Sequence, residues 1–254
     1  MHENSLFLIS LKKDEARREV LKNRFASYDK FNVLDAIDGR LMSAKEYFGY
    51  ALNSFKTYNR LLSPGEIGCS LSHMRAYEEF LSSDAKFALI FEDDVIGDDE
   101  GIKKAFELAD KIDKNSILIC GCQEGLAGRF SAFGKRLEDG FYLVSKHSYV
   151  SIYRAAAYIV TRDSAKALLD THKRAICTAD LWSYLLTSNK LNMYFSDIFA
   201  HPVDLSDSNI NKERDERGYA KINLKALFKS FKYILATRYE AKFKGYERIF
   251  KEKT

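Results

Sequence analysis

The densest chemistry in this 254-residue chain is the run Glu92-Asp93-Asp94. Three consecutive carboxylates repel one another and pack poorly, yet these follow directly on the apolar stretch 86–91, which reads as a buried strand. Open α/β sheets bind ligands at the carboxyl ends of their strands. In an extended segment Glu92 and Asp94 share one side and Asp93 takes the other. Carboxylate oxygens spaced in that way can hold a hard divalent cation, with diphosphate oxygens and water completing its shell. The plain alternative is a solvated acidic loop, continued by Asp98, Asp99 and Glu100.

A second group lies upstream. Ser63-Pro64-Gly65-Glu66 has a capping serine, a proline at the first helical position and an acid where a capping box needs one. The helix it opens runs to about residue 81, with Ile67, Leu71, Met74 or Tyr77, and Leu81 as its apolar stripe. Glu66, Ser70 and His73 then fall on nearly one face. They line a binding pocket, or His73 is a core histidine bonded to a backbone carbonyl and Glu66 only completes the cap. Other phosphate and nucleophile chemistries lack their motifs: the chain has no GxxxxGK[ST] loop, no GxGxxG after the first strand and no GxSxG elbow.

The elements that must position these groups alternate. Strands are expected at 5–11, 31–37, 86–91, 116–120, 156–161 and 192–195. Helices are expected at 15–28, 44–52, 63–81, 101–112, 163–172 and from a Thr178 cap to about 187. Residues 123–140 are glycine-rich and read as loop or irregular hairpin, 142–153 alternate weakly, and 199–218 read as polar loop. Alternation of this kind predicts an α/β fold with a mostly parallel sheet. At 46% hydrophobic and 30% charged residues the chain can bury a large core, so disorder and a disulfide-stapled miniature are excluded. No window approaches the roughly 18 apolar residues of a membrane span. Residues 6–11 are too short an apolar run for a signal peptide, so a cytosolic protein is expected. The four cysteines, Cys69, Cys120, Cys122 and Cys177, are then expected to be reduced, with Cys120 and Cys122 at the end of the apolar run 117–119 buried and structural rather than a metal or redox site.

The formal charge of +4 divides unevenly: residues 219–254 carry +7 and residues 1–218 carry −3. This suggests a catalytic domain over 1–218 and a basic, amphipathic helical tail over 219–254. In the tail Ile222, Leu224, Leu227, Phe228, Phe231, Ile234 and Leu235 recur at helical spacing among Lys225, Lys229 and Lys232. Such a helix can lie on an anionic leaflet, or dock on the body with its lysines in water. The acidic body and the lack of a recognised module argue against nucleic acid as a partner.

The run Leu62-Ser63-Pro64-Gly65-Glu66-Ile67-Gly68-Cys69-Ser70-Leu71-Ser72-His73, followed by Leu89-Ile90-Phe91-Glu92-Asp93-Asp94-Val95, resembles glycosyltransferase family 25, the lipopolysaccharide and lipooligosaccharide glycosyltransferases. Phe7 to Leu11 with Arg17 or Arg18, the turn Ala36-Ile37-Asp38-Gly39, Ala157 to Val160 with Ala165 to Leu169, and Asp180 extend the likeness over about residues 5–205. Ser10 stands where family members often have asparagine.

The resemblance implies a GT-A-like, Rossmann-type fold with a mostly parallel sheet flanked by helices. It also implies a UDP-sugar donor, often UDP-galactose, and a divalent metal, Mn²⁺ or Mg²⁺. Glu92-Asp93-Asp94 then stands in for the family's metal motif. Asp94 is the first-choice ligand, Glu92 or Asp93 contacts ribose or metal, and His201 is a late ligand or else a solvated loop histidine. Ser10, Leu11, Asp38, Gly39, Ser72 and His73 are assigned to the nucleotide, with a plain tight turn the alternative at Asp38-Gly39. Asp180 is the candidate base of an inverting transfer, or else an acid that stabilises a first helical turn. The implied acceptor is a lipid-linked oligosaccharide at the cytoplasmic face of the inner membrane. Rival readings are a metal-dependent nucleotidyl- or phosphotransferase, and a membrane-docked nucleotide- or sugar-binding protein without activity.

Overall fold

A computed structural model describes residues 4–203 and 224–251, without the side chains of 224–232 and 234. The expected polar loop beyond residue 203 and most of the tail's apolar stripe lie outside the described residues.

Strand β1 (Ser5–Ser10) leads through α1 (Glu15–Arg24) to β2 (Asn32–Asp35), α2 (Ala44–Tyr58), α3 (Pro64–Ser82) and β3 (Phe87–Glu92). Then come α4 (Asp99–Ala109), β4 (Ser116–Gly121), the hairpin β5 (Phe133–Glu138) and β6 (Phe141–Val144), and β7 (Ala157–Thr161). The chain continues with α5 (Arg162–Arg174), α6 (Trp182–Asn189), β8 (Asn192–Phe199), α7 (Leu224–Phe243) and β9 (Tyr246–Arg248). One nine-stranded sheet has the order β2-β1-β3-β7-β4-β8-β6-β5-β9. β1 is parallel to β2 and β3, and β4 to β8, while β7 runs antiparallel between β3 and β4. The expected Rossmann-type frame is present in β1, β2, β3, β4 and β8, which run the same way, with β7 reversed inside it.

Alternation along each strand splits the core in two. Ile9, Ile90, Tyr158 and Val160 face α3, α5 and α6, packing on Tyr77, Phe80, Leu168, Leu185 and Trp182. Leu8, Leu89, Phe91 and Ile159 face α1 and α4, packing on Leu21, Ile102, Ala105 and Leu108.

Four expectations are corrected. Helix α2 runs past residue 52 to Tyr58, opened by a Ser43–Glu46 capping box and closed by left-handed Asn59. The stripe expected to bury α3 is only half the story, because its polar side (Glu66, Ser70, Ser72, His73) is buried as well. Thr178 caps nothing: a turn in which the Leu181 N–H donates to the Thr178 carbonyl comes first, and α6 starts at Trp182 without a side-chain cap. The end of the tail is part of the sheet: β9 pairs with β5, and Phe250 meets Phe195 edge to face at 5.0 Å between ring centroids.

Candidate active site

Because β1, β2, β3, β4 and β8 run the same way, their carboxyl ends share one edge. The start of reversed β7 lies at that edge too. A cavity of about 340 Å³ opens there, lined among others by Ser10, Leu11, Asp38, Gly39, Ser72, Glu92, Asp93, Asp94, Asp180 and His201. Every predicted site residue except Ser70 and His73 thus reaches one cavity, whose volume suits a small ligand.

The first wall is the turn after β2. Its approach to α3 is possible only because two glycines meet. A Cβ on Gly39 would sit 1.8 Å from the Pro64 carbonyl oxygen, and one on Gly68 would sit 2.3 Å from that of Ile37. The Ser72 hydroxyl accepts the Ile37 N–H at 2.8 Å and donates to the Gly68 carbonyl at 2.7 Å, so Ser72 fastens the turn to the helix. Asp38 accepts from Lys13 at 2.8 Å and from the Arg40 guanidinium at 2.6 and 3.0 Å. Burial works to raise its pKa, but these cations outweigh it and hold Asp38 at about 2. Glu66, almost wholly buried, closes the capping box with Ser63 and takes Arg60 at 2.7 Å.

The second wall is the end of β3. Arg18 ties down the end of β1, donating to the Leu11 carbonyl at 2.6 Å and Ser10 Oγ at 3.0 Å. Arg17 donates to Asp93 at 2.8 Å. Burial nevertheless leaves the Asp93 pKa raised, against the pull of Ser10 and Arg17. Asp93 is therefore tied to α1, whereas its two neighbours are placed differently.

Glu92 Oε1 lies 3.1 Å from Nε2 of the buried His73, whose Nδ1 is 2.7 Å from the Tyr158 hydroxyl; Tyr77 follows at 2.8 Å. One donor direction satisfies the whole chain with a neutral imidazole: Tyr77 to Tyr158 to His73 to Glu92. His73 is thus a core histidine behind the cavity, bonded to side chains rather than to a backbone carbonyl. With Cys69 Sγ it also forms a group whose ligand atoms, together with that of Glu92, lie within 4.8 Å of one another.

Asp94 Oδ1 is buried and has no hydrogen-bond partner among the described residues, while Oδ2 is 3.2 Å from His201 Nε2. Reciprocal backbone bonds between Ile96 and Ala200, both 2.8 Å, bring His201 there. His201 Nδ1 donates to the Pro202 carbonyl at 2.8 Å, which leaves Nε2 as the atom that faces the carboxylate. Burial disfavours both charges, yet their pairing prevails: the Asp94 pKa is lowered and that of His201 is raised. An orphaned carboxylate oxygen beside an oriented imidazole fits a divalent cation.

Sequence reasoning missed Arg154. It lines the cavity in a left-handed conformation (φ 59°) and donates to the Cys122 and Glu124 carbonyls, both at 2.8 Å. No local signal marks an arginine for that backbone region. The cysteines are all free thiols; Cys120 and Cys122 are buried as expected, and Cys177 is buried too.

A family profile described as glycosyltransferase family 25 (LPS biosynthesis protein) matches residues 3–182. The chain belongs to glycosyltransferase family 25. The match ends before His201 and α7. Curated relatives in this family include procollagen galactosyltransferase 2 of Homo sapiens, 28% identical over 120 residues, or 45% of this chain and 19% of the relative. Another is inactive glycosyltransferase 25 family member 3 of Homo sapiens, 32% identical over 98 residues, covering 36% and 16%. The chain thus aligns with about a fifth of the length of these family 25 proteins. Among solved structures, mannose-1-phosphate geranyltransferase from Thermus thermophilus is a loose likeness, with a TM-score of 0.42 and 10% identity over 77% of this chain and 74% of that one.

Proposed function

We propose that this family 25 chain is an active glycosyltransferase. It moves a hexosyl unit, galactose by first choice, from a UDP-sugar to a lipid-linked saccharide of the lipopolysaccharide or lipooligosaccharide type, with inversion. The observation that carries the reading is the buried, unpartnered Oδ1 of Asp94 in a cavity at the carboxyl edge of the sheet. Family membership supports the reaction class, and relatives named as galactosyltransferases support the sugar.

Asp94 and His201, with Glu92 beside them, would hold Mn²⁺ or Mg²⁺, which supplies Lewis-acid stabilisation to a departing diphosphate. The chain's own groups do the rest. Arg17 and Arg154 add positive charge to a cavity rich in carboxylates. The fastened turn at Asp38-Gly39, with Ser10 and Leu11, offers the nucleoside a rigid seat. The acceptor hydroxyl oxygen bonds to the anomeric carbon as the bond from that carbon to the diphosphate breaks, its electron pair leaving with UDP. The hydroxyl proton passes to the Asp180 carboxylate. Asp180 lines the cavity just before α6 rather than sitting in its first turn.

The same proposal places the protein at the cytoplasmic face of the inner membrane, its +7 end against anionic lipid. Among the described residues no helix is long and apolar enough to cross a membrane. The test is UDP release from a panel of UDP-sugars with Mn²⁺, with EDTA and in Asp94→Ala. Turnover that ignores EDTA and Asp94→Ala removes the metal role. Pyrophosphate release from a nucleoside triphosphate establishes the rival nucleotidyltransferase. Sugar-nucleotide binding without turnover on any acceptor makes the chain a silent binder.

A further inference from the structure

Helix α2 has two apolar stripes, and among the described residues only one is covered. The inner stripe is Tyr47, Ala51, Ser54 and Tyr58, with Ala51 and Ser54 fully buried. It is pinned by the Tyr47 hydroxyl on the Leu62 carbonyl at 3.0 Å and the Tyr58 hydroxyl on the Ala175 carbonyl at 2.7 Å. The outer stripe is Phe48, Leu52 and Phe55, at i, i+4 and i+7, with exposures of 53%, 50% and 49%. Leu41, 85% exposed, extends it towards the cavity, because the turn that lines the cavity at Asp38, Gly39 and Arg40 runs straight into Leu41 and the α2 cap. Contiguous exposed apolar side chains of this kind mark an interaction surface.

Charge selects the partner. Lys45 and Lys56 lie about 60–80° round the helix from Phe48, on one flank of the outer stripe. Neither is in an ion pair among the described residues. Glu46, the single acid of α2, lies about 160° round the helix from Phe48, and its capping box with Ser43 holds it away from the outer stripe. Lys13 and Arg40, both bonded to Asp38, add cations at the neighbouring rim. A second copy of the chain fits poorly. Four partly exposed side chains offer roughly 400 Å², against the ~800 Å² per partner of a standard protein interface. Antiparallel two-fold pairing of the stripe would also bring like-charged lysine flanks together.

We infer that the outer face of α2, from Leu41 to Phe55, is a docking surface for an anionic lipid bilayer, with Phe48, Leu52 and Phe55 entering the headgroup region and Lys45 and Lys56 on lipid phosphates. It is an interfacial helix of the kind that lies in the membrane plane. It holds the rim of the cavity against lipid independently of the 219–254 end. The contact itself does not depend on the transfer reaction; only its use in meeting a lipid-linked acceptor rests on that reading.

The test is flotation of the full chain with vesicles of phosphatidylglycerol and phosphatidylethanolamine, and with pure phosphatidylcholine. The wild type is expected to float with the anionic vesicles and to be released by high salt. Combining Phe48→Ser, Leu52→Ser and Phe55→Ser is expected to weaken binding at least tenfold, with an unchanged melting midpoint and unchanged UDP release on a soluble acceptor. Phe48→Trp is expected to show a blue-shifted emission and quenching by brominated lipid. A triple variant that floats like the wild type overturns the proposal, as does a wild type that fails to float. A wild-type dimer that the triple variant turns into monomer overturns it too. Because lipid binding is read without any reaction, an inactive protein that still floats through α2 sinks the transfer reading and leaves this one standing.

Discussion

The two walls of the cavity are built on opposite principles. At the Asp38 turn and the start of α3, the carboxylates and Ser72 are bonded within the protein: Asp38 to Lys13 and Arg40, Glu66 to Ser63 and Arg60, Ser72 to Ile37 and Gly68. At the end of β3, Asp94 keeps a buried oxygen with no partner among the described residues. Buried polar groups are normally satisfied, and an orphan is costly unless something else supplies the bond. A wall with nothing left to bond is a scaffold; a wall with an unmet oxygen is where a ligand completes the structure.

Substitution at the unmet oxygen breaks this comparison most directly. Asp94→Asn keeps the shape and removes the charge, so turnover is expected to fall by about 10²–10³-fold or more if Asp94 anchors the cation. Stability should fall as well, because the lowered Asp94 pKa means that its pairing with His201 favours the charged carboxylate in the fold. UDP release and a thermal melt on one preparation check both. A variant that melts early and keeps its turnover would put Asp94 in the scaffold. The converse holds for Gly68→Ala, where the new Cβ meets backbone at Ile37 and Gly39 that cannot swing aside. A loss of about 1–3 kcal/mol is expected from denaturant melts, with weaker nucleotide binding following from the displaced turn. An unchanged midpoint would show that the two motifs do not depend on this contact.

Tyr158→Phe sharpens the boundary between the walls. Tyr158 is buried between His73 and Tyr77, and its hydroxyl is the middle link behind Glu92. Its removal is expected to cost about 1–3 kcal/mol of stability and to lower turnover only a few-fold, since Glu92 itself stays in place. A loss as large as that of Asp94→Asn would move the relay from support into the chemistry.

What the sequence disclosed follows the same division. The start of α3 was legible because a capping box and a first-turn proline are local signals, and the acidic triplet was legible because it ends an apolar run. The reversal of β7 was not, since a strand buried on both faces reads alike in either direction. The buried polar side of α3 was misjudged because its partners, Tyr158, Glu92 and the Cys177 carbonyl, come from distant segments. Asp94 and His201 could each be suspected, but their meeting depends on the backbone bridge between Ile96 and Ala200, which no spacing rule anticipates. Thr178 looked like a cap because capping residues and turn residues are the same types. The outer stripe of α2 passed unremarked because helical spacing alone does not tell a buried stripe from an exposed one.

The smallest expected effect isolates the satisfied wall by its pH dependence. The Asp38 pKa is about 2 in the fold against 3.8 for the free side chain, with Arg40 and Lys13 prevailing over burial. A carboxylate whose folded pKa is depressed stabilises the fold above its unfolded pKa, and that contribution is lost as pH falls through the folded value. The window is therefore pH 4 to 2, with full stabilisation above it. Lys13 is more than half exposed, so solvent screening leaves about 1 kcal/mol of the nominal gain. Asp38→Asn should thus be less stable than the wild type at pH 7 and equal to it near pH 2, the two acid-unfolding curves converging downwards. Parallel curves would mean that Asp38 is not held by its cations, and that the turn's order comes from the Gly39–Gly68 contact and Ser72 alone.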